Sequence, residues 1–317
     1  PAMPTPLVVI AGPTGVGKTQ TAIRVAQCLG AQILSADSRQ IYRHLDIGTA
    51  KPTADQRRVV AHHLLDLIGP QERFSAGEYG RQARQIIDGL RPQGTPVVLV
   101  GGSGMYVDAT VDGFGVSPEA DSKLRSRLES RWLAEGPQAL HEELAGREPE
   151  TASRLHVSDR SRILRALELL EQTGHGVAPP AGQRPIRPVP LLIALHRPRE
   201  QLYQRIGRRI EDMMHQGWLA EVEDLLKKGI SASSPGMESL GYAELTSYLG
   251  GKGTLECAVE QIGRKTRRYA KRQMTWLRRD RRYRWLDLAR FGQGGTVERI
   301  VHQWQWRVDA VRVDSCT

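Results

Sequence analysis

Cysteine is scarce: Cys28, Cys257 and Cys316 lie far apart in 317 residues, with no C-x-x-C pair. Neither a disulfide framework nor a cysteine-based zinc site is therefore expected. Long apolar runs are also missing. Stretches such as Leu7 to Ala11 and Val97 to Val100 fall far short of the roughly 20 residues that span a bilayer, so no membrane role is expected. The first residues show no basic stretch followed by a long apolar segment and a small-residue cleavage site, which argues against secretion and makes the cytoplasm the expected compartment. No internal repeat is evident, and a monomer is the plain expectation. What is present is a composition of 39% hydrophobic and 25% charged residues, enough to bury one large α/β core or two modest ones. Basic residues outnumber acidic ones by 45 to 35, and this net charge of +10 points to a polyanionic partner.

The first strong pattern follows the β-branched run Leu7 to Ala11, which reads as a buried strand. It flows into Gly12, Pro13, Thr14, Gly15, Val16, Gly17, Lys18 and Thr19, which match G-x-x-x-x-G-K-[ST], the pattern of ATP-binding phosphate loops. Ala22, Ile23, Val25, Ala26 and Leu29 then recur at helical spacing, and Gly30 supplies the stop. In such a strand–loop–helix the glycines let backbone N–H groups wrap phosphate oxygens, and the helix N-terminus adds partial positive charge. Lys18 is placed to reach a terminal phosphate, and the Thr19 hydroxyl to meet Mg²⁺. A nucleotide hydrolase also needs an acid closing a later strand. Val97 to Val100 runs instead into Gly101-Gly102-Ser103-Gly104, and Leu191 to Leu195 into His196-Arg197. Only Gln32 to Ala36 meets a carboxylate, Asp37, and it is the second strand in sequence. ATP hydrolysis is weakened as a reading.

In an open parallel sheet, residues just past the strand C-termini line the ligand crevice, so Asp37 and Ser103 are expected to face the phosphate loop. Asp37 with Gln40 three residues on also fits a capping box for a short helix, and spacing alone leaves both roles open. Several blocks together resemble the bacterial tRNA dimethylallyltransferases, also called tRNA isopentenyltransferases. They are GPTGVGKT at 12–19, SADSRQIYRHLDIGTAKP at 35–52, HHLLD at 62–66, FSAGEY at 74–79 and LVGGSGMYVDA at 99–109. The likeness resumes with ILRALELLEQTG at 163–174, RIGRRIEDMM from Arg205, SLGYAEL at 239–245 and KRQMTWLRRD at 271–280.

That resemblance implies transfer of the dimethylallyl group from dimethylallyl diphosphate to N6 of the adenosine next to the anticodon, position 37 of the tRNA, with Mg²⁺. It also implies that the phosphate loop, Gly12 to Thr19, holds a diphosphate leaving group rather than ATP, and that Thr19 serves the metal. The family's general base falls on Asp37. Its catalytic arginine falls on Arg209, at the end of the R-x-x-x-R pattern that begins at Arg205. Ser103, the third residue implied to be catalytic, stands where the family most often has threonine; the hydroxyl is kept, and with it hydrogen bonding to the base, the diphosphate or the metal shell. Contacts with the tRNA anticodon stem-loop are implied for Asp37, Ser38, Arg39, Gln40, Ser103 and Arg125, and for Ser161, Arg162, Ile163, Leu164 and Arg165. The fold implied is an α/β, P-loop-containing core with a parallel sheet flanked by helices, plus an inserted all-helical domain.

The remaining chain fits that organisation. Glu119 to Gly136 carries Leu124, Leu128 and Trp132 on one helical stripe, Gln138 to Leu144 suggests a second helix, and Ser158 to Gly174 a third. Thr173 to Pro190 has five prolines and three glycines, which is linker composition. The core is thus expected over 1–117 and 186–317, with a tRNA-gripping helical insertion over 118–185. Residues 264–284 hold eleven of the 45 basic residues and one acid, so the rest of the chain is formally neutral. Ile262, Thr266, Tyr269, Ala270, Gln273, Trp276 and Leu277 form one stripe of this segment, which leaves Arg268, Lys271 and Arg272 outside as expected RNA-phosphate contacts. A phosphate-loop kinase for a small metabolite, a pure RNA-binding module and a prenyltransferase of free adenine nucleotides, which would not need the helical insertion or the cationic segment, are the competing readings. The kinase lacks its second acid, and the module leaves Asp37, Ser103 and Arg209 as coincidences.

Overall fold

The computed structural model describes residues 7–113, 121–174 and 185–314. Six parallel strands form one sheet in the order β3-β2-β4-β1-β5-β6: β1 Val8–Ala11, β2 Gln32–Ala36, β3 His62–His63, β4 Val97–Gly101, β5 Leu191–His196 and β6 Arg284–Asp287. The central strands are apolar almost throughout because helices cover both faces of a parallel sheet, leaving neither face to water. Val8, Val9, Ile10, Leu99 and Ile193 are fully buried.

The helices fill the crossovers in turn. They are α1 Lys18–Leu29, α2 Ala54–Val59, α3 Ala76–Leu90, α4 Gly104–Val111, α5 Ser122–Arg147, α6 Pro149–Ser153 and α7 Arg160–Thr173. After β5 come α8 Arg199–His215, α9 Trp218–Lys227, α10 Tyr242–Leu249 and α11 Leu255–Leu277, then β6, and α12 Leu288–Asp314 ends the described chain. No helix among the described residues is long and apolar enough to cross a membrane. Gly30 ends α1 as the sequence pattern requires, in the left-handed conformation with φ 63°.

The described residues fall into two compact units, 7–112 with 185–314, and 113 with 121–174. The second has its own core: Leu128, Leu140 and Leu144 of α5 pack with Ile163, Leu164, Leu167 and Leu170 of α7. The two helices expected before residue 147 are both there: α5 is two helical segments that meet at a kink at Gly136 (φ 86°, ψ 169°), with Pro137 opening the second. Residues 114–120 and 175–184, where the helix start and most of the linker were expected, lie outside the described residues.

The basic segment is not all helix. α11 stops at Leu277, and Arg284 already opens β6. Its inward stripe is as expected: Ile262, Ala270, Gln273 and Leu277 are buried, while Arg268, Lys271 and Arg272 are exposed.

Candidate active site

β1 delivers the chain into the phosphate loop. Gly15 and Gly17 there take φ of 80° and 114°, a backbone state that glycine adopts without strain. α1 then starts at Lys18 with no side-chain cap and no acid in its first turn. Its first amides and dipole are therefore unsatisfied by the chain itself, the arrangement that favours an anion. Lys18 Nζ donates to the Pro13 carbonyl at 2.9 Å, folding the side chain over the loop. From α8, Arg205 Nε donates to the Gly15 carbonyl at 2.9 Å, and just before α8 Arg197 Nε donates to the Val16 carbonyl at 3.0 Å.

A cavity of about 710 Å³ opens over the loop. Five cations line it, Lys18, Arg39, Arg205, Arg208 and Arg209, against two carboxylates, Asp37 and Asp212. Thr19 lines it too. Burial pulls the Lys18 ammonium down to about 8; the Asp37 carboxylate opposes this and Arg209 adds to it. Burial likewise lowers Arg209, with Asp37 opposing and Arg205 assisting. Lys18 and Arg209 are thus desolvated cations, which are costly until an anion enters. The cavity is built to receive one.

Asp37 follows β2, and its Oδ1 accepts the Arg39 N–H at 2.9 Å. The capping box with Gln40 does not form, because residues 38–41 make a turn and not a helix. Gln40 turns inward: its Oε1 accepts the Ser35 hydroxyl at 2.8 Å, and its Nε2 donates to the Thr49 and Ala50 carbonyls at 3.1 Å. That side chain braces the turn that presents Asp37.

Ser103 precedes α4. Its Oγ accepts the Ser38 N–H at 2.9 Å and donates to Ser38 Oγ at 3.1 Å, so the loop after β4 is stitched to the residue next to Asp37. Ser38 and Ser103 line a second cavity of about 650 Å³ with Phe74, Met105, Tyr106 and Trp276. Arg39, Tyr269 and Gln273 belong to both cavities, which therefore meet beside Asp37 and Ser103. Burial pushes the Tyr269 phenol up to about 12, with the Asp37 carboxylate adding to the rise, so it stays a neutral hydroxyl at this junction.

The sequence grouped Tyr269 and Gln273 with the core stripe of α11 and assigned Arg205 and Arg197 no task. A glutamine on a mostly apolar stripe was the available signal. Among the insertion residues, Ser161 and Arg162 are exposed. Ile163 and Leu164 are not: both side chains are buried in the insertion's own core. Arg125 and Arg165 both pair with the fully buried Glu168, at 3.3 and 3.0 Å.

Comparison with known proteins gives a consistent answer. A family model described as IPP transferase matches residues 40–280. A tRNA dimethylallyltransferase of Syntrophobacter fumaroxidans is 46% identical over 301 residues, covering 94% of this chain and 87% of its own. Among solved structures, the full-length tRNA isopentenylpyrophosphate transferase of Bacillus halodurans is 34% identical with a TM-score of 0.69, covering 99% of this chain and 98% of its own. A eukaryotic dimethylallyltransferase, described as acting on tRNA, aligns at a TM-score of 0.75 and 26% identity, over 89% of this chain and 74% of its own.

Proposed function

Because the chain belongs to the IPP transferase family, we propose that it transfers the dimethylallyl group of dimethylallyl diphosphate to N6 of the adenosine beside the anticodon of tRNA. One observation carries the reading: a cation-lined cavity and a second, aromatic-edged cavity meet beside Asp37 and Ser103. The first suits the diphosphate and its allyl chain. The second suits a base that has left the anticodon-loop stack, a step costing a few kcal/mol.

In the reaction the allylic C–O bond breaks, an N6–C bond forms, and the N6 proton passes to the Asp37 carboxylate. The exocyclic amine is a poor nucleophile while its lone pair is delocalised, so removing its proton as the bond forms lowers the barrier. Charge growing on the departing diphosphate is held by the loop amides, Lys18 and Arg209. Ser103 holds the Asp37–Ser38 turn in place through its bonds to Ser38.

Among the described residues no three or more His, Cys, Asp or Glu side chains gather to hold a metal. Mg²⁺ fits the site nonetheless, since it keeps several waters and takes substrate phosphate oxygens, needing little beyond the Thr19 hydroxyl from the protein. When bound it would neutralise part of the diphosphate charge. For the tRNA we assign Arg268, Lys271 and Arg272 of α11, Ser38 and Arg39 beside the base, and Arg125, Ser161, Arg162 and Arg165 of the insertion. The protein in this reading is a cytoplasmic monomer.

The test is incubation with labelled dimethylallyl diphosphate, Mg²⁺ and either unmodified tRNA or AMP. Label is expected in tRNA alone. Label in AMP would assign a free-nucleotide substrate, and ATP turnover with no transfer would refute prenyl transfer.

A further inference from the structure

Gln273 lies on the buried stripe of α11, two positions from exposed Lys271 and next to exposed Arg272. Its side chain spans two loops. Oε1 accepts the Thr14 N–H of the phosphate loop at 2.8 Å, and Nε2 donates to the Gly102 carbonyl, just before Ser103, at 3.0 Å. Gly102 leaves the amide its room, for a Cβ there would overlap the Gln273 amide nitrogen. A buried amide is tolerated only when both ends are bonded, so an apolar side chain would serve packing at lower cost. Here the donor end and the acceptor end each hold a different half of the site.

We propose that Gln273 is a positioning residue for dimethylallyl transfer. It fixes the separation between the loop that takes the diphosphate and the loop that, through Ser103 and Ser38, holds the Asp37 turn. The allylic carbon and the attacking amine are brought together across that separation, and a misplacement of about 1 Å costs roughly 100-fold in rate. The inference rests on the function proposed above.

Gln273→Met keeps the length and packing but loses both bonds. The expected result is a fall in kcat of roughly 10- to 100-fold per folded site, with KM for dimethylallyl diphosphate and Kd for tRNA changed by no more than about twofold. A purely structural role would lower Tm while leaving kcat per folded site unchanged. Gly102→Ala pushes the amide aside from the other end and is expected to lower kcat similarly. In a Gln273→Ala background the same Gly102→Ala change should then add nothing, because the group it displaces is gone. Wild-type kcat in Gln273→Met, or additive losses in the double variant, overturns the proposal; should Gln273→Met fail to fold, the Gly102 pair decides. Wild-type protein runs alongside: no transfer from it defeats the functional reading itself, whereas an active wild type with unimpaired variants defeats this inference alone.

Discussion

Asp37 and Lys18 share one cavity and carry opposite demands. In the proposed reaction Asp37 must accept a proton, and its Oδ1 also accepts the Arg39 N–H within the turn. Asparagine keeps that acceptor and loses the base. Asp37→Asn is therefore expected to lower the single-turnover rate roughly 10²- to 10⁴-fold with Tm and tRNA affinity close to wild type, as read by rapid quench, thermal melts and filter binding. Loss of folding instead would make Asp37 a structural residue. Lys18 must stay charged to hold the diphosphate, yet burial brings it to about 8 from an ordinary value of 10.5. The folded state thus binds fewer protons than the unfolded one between those values, and this group alone adds stability as pH rises through that window. A diphosphate has the opposite preference, for the protonated form. The Lys18 contribution to its affinity should be nearly flat below pH 8 and fall by up to about tenfold per pH unit above it, with proton uptake by Lys18 on binding. Calorimetry with inorganic diphosphate at pH 7, 8 and 9, in buffers of different ionisation heat, checks both. Lys18→Arg, which stays charged throughout, should flatten the profile.

At the scale of elements, the proposed function gives α11 two jobs on two faces. Inward, Tyr269 and Gln273 reach the cavities; outward, Arg268, Lys271 and Arg272 are exposed. Not all of the surrounding charge is available, because Lys265 pairs with Glu244 at 2.5 Å and Arg282 with Asp112 and Asp280 at 2.6 and 2.7 Å. Neutralising Lys271 and Arg272 together should reduce the slope of log affinity for tRNA against log salt by roughly 1.4–1.8, with diphosphate affinity unchanged. An unaltered slope in a salt titration would remove this face from the interface. The strand, loop and helix around Lys18 were legible in sequence because each rests on neighbours within a few residues. The inward stripe of α11 was legible for the same reason. What Gln273 does there was not, because its bond to Thr14 joins positions 259 apart, and the Arg205 bond to Gly15 joins positions 190 apart. The Asp37 capping box failed on a local point: three-residue spacing is shared by a helix cap and by this turn, and the buried partners of Gln40 decide between them.

For the whole molecule, the insertion's separate core makes its contribution separable. The sheet unit holds both cavities, whereas Arg125, Ser161, Arg162 and Arg165 stand on helices whose only described hydrophobic cluster is that of the insertion. Leu140 is fully buried in that cluster and far in sequence from any cavity residue. Truncating a buried leucine to alanine costs about 2–5 kcal/mol through lost burial and the cavity left behind. In a core of so few side chains, that is a large share of what holds α5 against α7. Leu140→Ala is thus expected to melt the insertion at a lower temperature while the sheet unit keeps its own transition. tRNA affinity should weaken steeply across the temperature range in which the insertion unfolds. Affinity for inorganic diphosphate should stay at the wild-type value throughout, because the cations proposed to hold it, Lys18 and Arg209, belong to the other unit. Calorimetric melts and binding isotherms for the two ligands, taken on the same variant, check this. Parallel loss of both affinities would mean that the insertion supports the sheet unit's fold, and unchanged tRNA affinity in a melted insertion would mean that tRNA is held by the sheet unit and α11 alone.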